Sequence, residues 1–172
     1  MIYKILIFDD NQIELTINNT YIQTFVSMYK LRTEIVALHN AREVIKHGES
    51  RHIDIAFLDI NKSEGEYSGI KLAGHILKRS PDAVIIFVTG EIVTITEVFN
   101  VRAFDYVLKP IDSEKIRTAF VRAIKQASLV NNKVSTTPLI ITVDNLKKKI
   151  RQANISYTTI QKDFPNSNNV VK

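Results

Sequence analysis

The amino-acid sequence predicts an α/β domain over residues 1–128, built on a doubly wound parallel sheet of five strands. Two observations and one general rule of chain connection favour this fold class. Short runs rich in β-branched and aromatic residues alternate five times with segments of helical length, and each run is apolar enough to be covered on both faces. Right-handed crossovers between such strands leave few arrangements other than helices on both faces of one parallel sheet.

The predicted strands are the most continuous apolar runs of this part of the chain, and they cover residues 3–8, 33–38, 53–58, 83–88 and 104–108. The predicted helices alternate with them, at residues 12–29, 40–49, 68–79, 91–100 and 113–128. The last helix has the clearest apolar stripe, formed by Ile116, Ala119, Phe120, Ala123, Ile124 and Ala127. Asp112 or Ser113 is positioned to cap its start.

Composition excludes several classes of protein. An apolar content of 45% and a charged content of 24% are typical of a soluble globular protein. The chain contains no run of roughly 20 apolar residues, and its N-terminus becomes acidic too early for a signal peptide, so we expect a cytoplasmic protein without a membrane partner. The absence of cysteine excludes disulfides, zinc–thiolate sites and cysteine nucleophiles.

The positive charge of the chain lies in its C-terminal part. Residues 1–128 contain 16 basic and 16 acidic residues, so the whole net charge of +5 belongs to residues 129–172. This excess favours contact with nucleic acid or another anionic surface, or it is a solvated basic face. A polar stretch that ends in proline predicts a linker over residues 129–138. Residues 139–172 are too few to form a stable domain alone, so we expect a short tail that is β-rich or disordered.

Reactive side chains follow four of the five predicted strands at their carboxyl ends. The run DIAFLDI, residues 54–60, shows why this matters. A buried strand that ends on a lone carboxylate usually delivers it to the sheet edge, where ions and ligands bind. The side chains expected to meet at this edge are those of Asp9, Asp10, Asp59, Thr89 and Lys109.

The expected group combines three carboxylates, one hydroxyl and one ammonium. Neighbouring carboxylates repel one another unless a cation lies among them, and oxygen ligands with open coordination positions favour Mg²⁺. No zinc site is expected from the four histidines, which are His39, His47, His52 and His75. With Mg²⁺ bound, one carboxylate can attack a phosphoryl group while the metal and the ammonium neutralise charge on its oxygens.

These segments resemble the receiver domain of bacterial two-component response regulators over residues 1–128. IFDDN resembles the acidic pair of that family, AFLDI its phosphoacceptor strand, IIFVTG its hydroxyl position and AFDYVLKP its lysine–proline motif. The intervals are 49 residues from Asp10 to Asp59, 30 to Thr89 and 20 to Lys109, and they make the set specific. The resemblance implies a flavodoxin-like sheet with strand order 2-1-3-4-5. It also implies a phosphoacceptor that promotes its own phosphorylation and dephosphorylation, rather than an ordinary enzyme.

The resemblance implies a role for each matching acidic residue. Asp59 accepts a phosphoryl group from a sensor histidine kinase. Asp10 ligates Mg²⁺ directly, and Asp9 supports the metal, through water in one arrangement. Asn61, two residues after the acceptor, offers its backbone carbonyl to the metal.

The resemblance also implies a switch. Lys109 pairs with the phosphate, Thr89 moves to hydrogen-bond it, and Tyr106 then turns inward. Pro110 follows a cis peptide bond that directs Lys109 into the site. This rearrangement reshapes the face formed by residues 91–128 and favours homodimers.

Two segments narrow the resemblance further. The loop INKSEGEYSGIKLA is longer than usual and has no proline, as in receivers of peptide quorum-sensing regulators whose output is a LytTR DNA-binding domain. Residues 139–172 resemble the opening of a LytTR domain, with Ile155 and Tyr157 in its I-x-Y segment. Only part of such a domain fits here, so we expect a truncated effector and weak or absent DNA binding.

Three functions compete at this point. The first is a phosphorylation-switched regulator of transcription. The second is a stand-alone receiver that signals through protein contacts of the 91–128 face, and salt-dependent DNA binding by the purified chain would distinguish the first from it. The third is a haloacid-dehalogenase phosphatase, whose signature requires Asp-x-Asp-x-Thr after the first strand, and the segment FDDNQIE lacks it.

Overall fold

The computed structural model describes residues 1–60, 68–90, 101, 103–134, 139–143 and 146–150, with residues 132 onward described by their backbone alone. The strands in this part of the chain are β1 (Tyr3–Phe8), β2 (Thr33–Leu38), β3 (Ile55–Leu58), β4 (Val84–Thr89), β5 (Asp105–Leu108), β6 (Leu139–Val143) and β7 (Leu146–Ile150). The helices are α1 (Gln12–Met28), α2 (Ala41–Ser50), α3 (Gly69–Arg79) and α4 (Ser113–Val134).

The first five strands form one parallel sheet in the order β2-β1-β3-β4-β5. The predicted fold class and strand order are therefore confirmed. The chain adds β2 on one side of β1 and then crosses to add β3 on the other side. The order reverses at this point, so the carboxyl ends of β1 and β3 flank the position where α/β sheets bind ligands.

Apolar side chains cover both faces of this sheet in two layers. The layer that includes α1 and α4 contains Ile5, Ile7, Phe25 and Phe120. The layer that includes α2 and α3 contains Leu6, Phe8, Val44 and Ile76. Because successive strand residues point to opposite faces, a sheet covered on both sides requires the continuous apolar runs seen in the sequence.

Some element boundaries differ from the predicted ones. β3 begins at Ile55 rather than at residue 53, and the Ile53 N–H donates to Ser80 Oγ at 2.9 Å. α4 continues past residue 128 to Val134, through the start of the predicted linker, because residues 129–134 contain no Gly or Pro to end a helix. The helix predicted at residues 91–100 lies outside the described residues.

Later in the sequence, β6 and β7 form an antiparallel pair in register from Leu139–Ile150 to Val143–Leu146. The chain divides into two compact units, Met1–Ser128 and Leu129–Lys172. Ile155 and Tyr157, on which the resemblance to a LytTR domain depends, lie outside the described residues. Among the helices that the structure describes, none has the length and apolar character needed to cross a membrane.

Candidate functional site

The candidate site lies at the carboxyl ends of the sheet strands, and the backbone ladder holds it there. Asp59 directly follows β3, and its N–H donates to Phe8 O at 2.9 Å. Lys109 directly follows β5, and its N–H donates to Thr89 O at 2.9 Å. Strand-like hydrogen bonding thus extends one residue beyond β3 and β5. The side chains of Asp59 and Lys109 are therefore positioned by the sheet.

The turn from β1 into α1 positions the acidic pair. Asp9 Oδ1 accepts a hydrogen bond from the Asn11 N–H at 3.0 Å. Asn11 is the N-cap of α1, and its Oδ1 accepts from the N–H groups of Ile13 and Glu14 at 3.0 and 3.4 Å. The helix therefore starts directly after the pair, with its N-terminus at the same edge of the sheet.

The three predicted carboxylates converge at this edge. Asp9, Asp10 and Asp59 each offer one oxygen atom, and these atoms lie within 4.8 Å of one another. Asp9 is fully buried, Asp59 is 7% exposed and Asp10 is exposed. Oxygen donors at this spacing, with one of them open to solvent, fit a hard divalent cation such as Mg²⁺, which keeps several water ligands.

Lys109 lies among these carboxylates, as the sequence predicts. Its Nζ is 2.9 Å from Asp9 Oδ2 and 2.9 Å from Asp59 Oδ1, and it also pairs with Glu14. Its side chain is only 15% exposed. The arrangement places a fixed positive charge directly beside the predicted phosphoacceptor.

The pKa values of these groups reflect both burial and pairing. Burial raises the pKa of Asp59 to about 6, against the opposing effect of Lys109. Burial also raises the pKa of Asp9, again against Lys109. Burial by itself would lower the pKa of Lys109, but hydrogen bonds to its three carboxylate partners outweigh that effect and raise it. The site thus holds a charged ammonium beside a carboxyl group whose pKa is raised by burial.

The two predicted switch residues lie on neighbouring strands. The Thr89 hydroxyl is buried and donates to the carbonyl oxygen of Ile60 at 3.1 Å. Ile60 directly follows Asp59, so the hydroxyl is one residue away from the predicted phosphoacceptor. Tyr106 is half-buried and packs against the apolar layer that includes α2 and α3.

Other predicted features differ in how far the structure describes them. The Lys109–Pro110 peptide bond is cis, as predicted. Asn61, the predicted carbonyl ligand of the metal, lies outside the described residues. Of the predicted 91–128 face, residues 101 and 103–128 are described.

Two polar side chains of α1 reach the site and were not predicted. Glu14 pairs with Lys109, and Asn18 donates from its Nδ2 to Asp9 Oδ2 at 3.4 Å. They are four residues apart and therefore share one face of the helix. Asn18 is buried in the stripe that also contains Leu15 and Ile22. A polar residue within an apolar helical stripe is the sequence signal that could have identified it.

We expect Mg²⁺ to stabilise the folded chain more at pH 8 than at pH 5. Below about pH 6 Asp59 is protonated, and the metal must displace that proton, so its apparent affinity falls as the pH falls. At a concentration that adds about 2 kcal/mol at pH 8, the gain should be smaller by about 1 kcal/mol at pH 5. Thermal unfolding with and without Mg²⁺ measures both gains, and equal gains at the two pH values would contradict the expectation.

Residues 5–121 match the family described as the response regulator receiver domain. The chain is 30% identical over 162 residues to the transcriptional regulatory protein LytR of Staphylococcus aureus, and the aligned part covers 88% of this chain and 63% of that protein. It is 33% identical over 141 residues to the sensory transduction protein LytR of Staphylococcus epidermidis, covering 80% of this chain and 53% of that protein. The chain therefore spans between half and two thirds of the length of these relatives.

Two solved structures resemble this chain in fold over nearly their whole length. The response regulatory domain of mrkE from Klebsiella pneumoniae has a TM-score of 0.61 and 25% identity, and covers 73% of this chain and 98% of that one. The response regulator protein TrrA from Thermotoga maritima, in complex with Mg(2+)-BeF, has a TM-score of 0.58 and 25% identity, and covers 70% of this chain and 98% of that one. Nearly all of each solved chain thus corresponds to part of this chain.

Proposed function

Because the chain belongs to the response regulator receiver domain family, we propose that it is the phosphorylation-controlled receiver of a transcription regulator, with Asp59 as its phosphoacceptor. One observation carries this proposal: Lys109 Nζ lies 2.9 Å from an oxygen of Asp59, within a cluster of three carboxylates. A nucleophilic carboxylate, a divalent-cation site and a fixed ammonium are the groups that phosphoryl transfer to aspartate requires.

In the proposed reaction, a carboxylate oxygen of Asp59 attacks the phosphorus of a phosphohistidine on a sensor histidine kinase. A P–O bond to Asp59 forms and the P–N bond breaks, and the imidazole nitrogen keeps that electron pair and takes a proton from water. Lys109 is close enough to bind an oxygen of the transferred group. Mg²⁺ held by Asp9, Asp10 and Asp59 would neutralise charge on the phosphoryl oxygens.

The second half of the proposed cycle is hydrolysis of the aspartyl phosphate at the same site. Water attacks the phosphorus, the P–O bond to Asp59 breaks, and inorganic phosphate leaves while the carboxylate is restored. The chain would in this way promote both its own phosphorylation and its own dephosphorylation. The proposed role is thus that of a phosphoacceptor whose phosphorylated state lasts only until it is hydrolysed.

The proposed switch begins at Thr89. Its hydroxyl donates to Ile60 O in this structure. A phosphoryl group on Asp59, the residue before Ile60, would offer an anionic acceptor, which forms a stronger hydrogen bond. Movement of Thr89 toward the phosphoryl group would open space for Tyr106 to turn inward. The 91–128 face would then change its packing and favour a homodimer.

The relatives support the proposed place in a pathway, since one is called a transcriptional regulatory protein and another a sensory transduction protein. We divide the chain into a receiver at residues 1–128, a linker at 129–138 and a LytTR-like segment at 139–172, in which DNA binding is weak or absent. A receiver that signals only through protein contacts is the second candidate, because the charges of residues 1–128 balance and give this part of the chain no net positive charge to attract nucleic acid.

The purified chain is expected to take up one phosphoryl group from acetyl phosphate when Mg²⁺ is present. Removing Mg²⁺ with EDTA should lower the rate by at least about tenfold, because the charge on the phosphoryl oxygens is then not neutralised. Intact-protein mass spectrometry measures the uptake, and size-exclusion chromatography of the same sample detects the homodimer. Labelling that does not depend on Mg²⁺, or no labelling by either acetyl phosphate or a histidine kinase, would overturn the proposal.

A further inference from the structure

Lys109 has a carboxylate partner that the proposed phosphoryl transfer does not use. In the described part of the chain, its Nζ contacts Asp9, Asp59 and Glu14. Asp9 and Asp59 belong to the carboxylate cluster that fits a divalent cation, and Glu14 does not. Glu14 is therefore the one of these three partners that lies outside the carboxylate cluster.

The position of Glu14 follows from the local structure. It is in the first turn of α1, and Asn11 caps that turn directly after the acidic pair. Its side chain is 36% exposed, so its charge faces both Lys109 and the solvent from which a phosphodonor approaches. The other polar residue on this helix face, Asn18, is buried and contacts Asp9 instead.

We propose that Glu14 is a positioning residue that competes with the incoming phosphoryl group for Lys109 and thereby slows phosphorylation of Asp59. This inference rests on the proposed function. Two physical effects act in the same direction. Lys109 must leave Glu14, or be shared with it, to bind a phosphoryl oxygen. In addition, the carboxylate repels an anionic donor at the mouth of the site, which lowers the rate of association.

Replacing Glu14 by Gln keeps the size of the side chain and removes its charge. We expect the rate constant for phosphorylation by acetyl phosphate in Mg²⁺ to rise roughly three- to tenfold, and the increase to shrink as salt is added. With phosphoramidate, which carries less negative charge, the increase should be smaller. Glu14→Asp keeps the charge but shortens the reach to Lys109, and it should lie between the wild type and Glu14→Gln.

Glu34→Gln is the matched control. Glu34 is exposed on β2, paired in register with Lys4 near the amino ends of the strands, so the same change in net charge is made away from the site. This variant should be phosphorylated at the rate of the wild type. The inference is overturned if Glu14→Gln reacts no faster than the wild type, or if the gain is equal for both donors and at all salt concentrations.

A second measurement does not depend on phosphorylation. The ¹⁵N chemical shift of Lys109 Nζ reports the partners of the ammonium, so Glu14→Gln should change it both with and without Mg²⁺, whereas Glu34→Gln should not. An unchanged shift would refute the Glu14–Lys109 contact. If the wild type takes up no phosphoryl group but the shift changes as expected, the proposed function fails while the contact stands.

Discussion

The variant Asp59→Asn is expected to take up phosphoryl groups from acetyl phosphate at least roughly 100-fold more slowly than the wild type. The amide has nearly the shape of the carboxylate but is a much weaker nucleophile. Asp9 cannot replace it, because Asp9 is fully buried and accepts hydrogen bonds from Asn11, Asn18 and Lys109. Intact-protein mass spectrometry over a time course measures the loss.

Asp82→Asn serves as the control for this experiment. Asp82 is exposed in the turn before β4, so the same chemical change is made outside the site. It should be labelled at the rate of the wild type. If Asp59→Asn retained a tenth or more of the wild-type rate, another nucleophile would carry the phosphoryl group. The exposed carboxylate of Asp10 would then be the first candidate.

The Asp59→Asn variant is also expected to be more stable than the wild type at alkaline pH in the absence of metal. Burial raises the pKa of Asp59 from 3.8 to about 6. Below about pH 4 the carboxyl is largely protonated in both the folded and the unfolded chain, so its ionisation does not change the free energy of unfolding. Between pH 4 and 6 the unfolded chain releases a proton that the folded chain retains, and the free energy of unfolding falls as the pH rises.

Above pH 6 the ionised Asp59 costs the folded wild type about 2–3 kcal/mol, which Asn avoids. Lys109 keeps Asp9 and Glu14 as partners in the variant. Urea unfolding at pH 8 and pH 4 measures the difference, which should be large at the first pH and near zero at the second. Added Mg²⁺ should narrow the gap at pH 8, since it binds the wild type more tightly. A variant less stable than the wild type at pH 8 would contradict the prediction.

The sheet could be predicted from the sequence because its strands are buried on both faces. Tyr3–Phe8 and Thr33–Leu38 have the predicted bounds, since each apolar run ends at a change of residue type that also ends the strand. The site could be predicted for a related reason. Parallel strands deliver whatever follows them to one edge, so the charged residues after β1, β3 and β5 had to meet there.

The contacts that were not predicted depend on side-chain reach and on local hydrogen bonds. The periodicity of α1 places Glu14 next to its apolar stripe, but only the three-dimensional structure shows that this side chain reaches Lys109, which directly follows β5 and lies 95 residues further along the chain. Just before β3, the Ile53 N–H donates to the hydroxyl of Ser80, which belongs to a different segment of the chain. Neither interaction leaves a local pattern in the sequence.

The chemical location of the phosphoryl group tests the central claim most directly. Borohydride reduces an aspartyl phosphate to homoserine at the residue that carried it, and peptide mass spectrometry then identifies that residue. After reaction with acetyl phosphate and Mg²⁺, we predict homoserine at position 59 and an unmodified carboxylate at Asp9, Asp10 and Glu14. Modification at one of those three residues, or at a histidine or serine instead of any carboxylate, would contradict the assignment of Asp59.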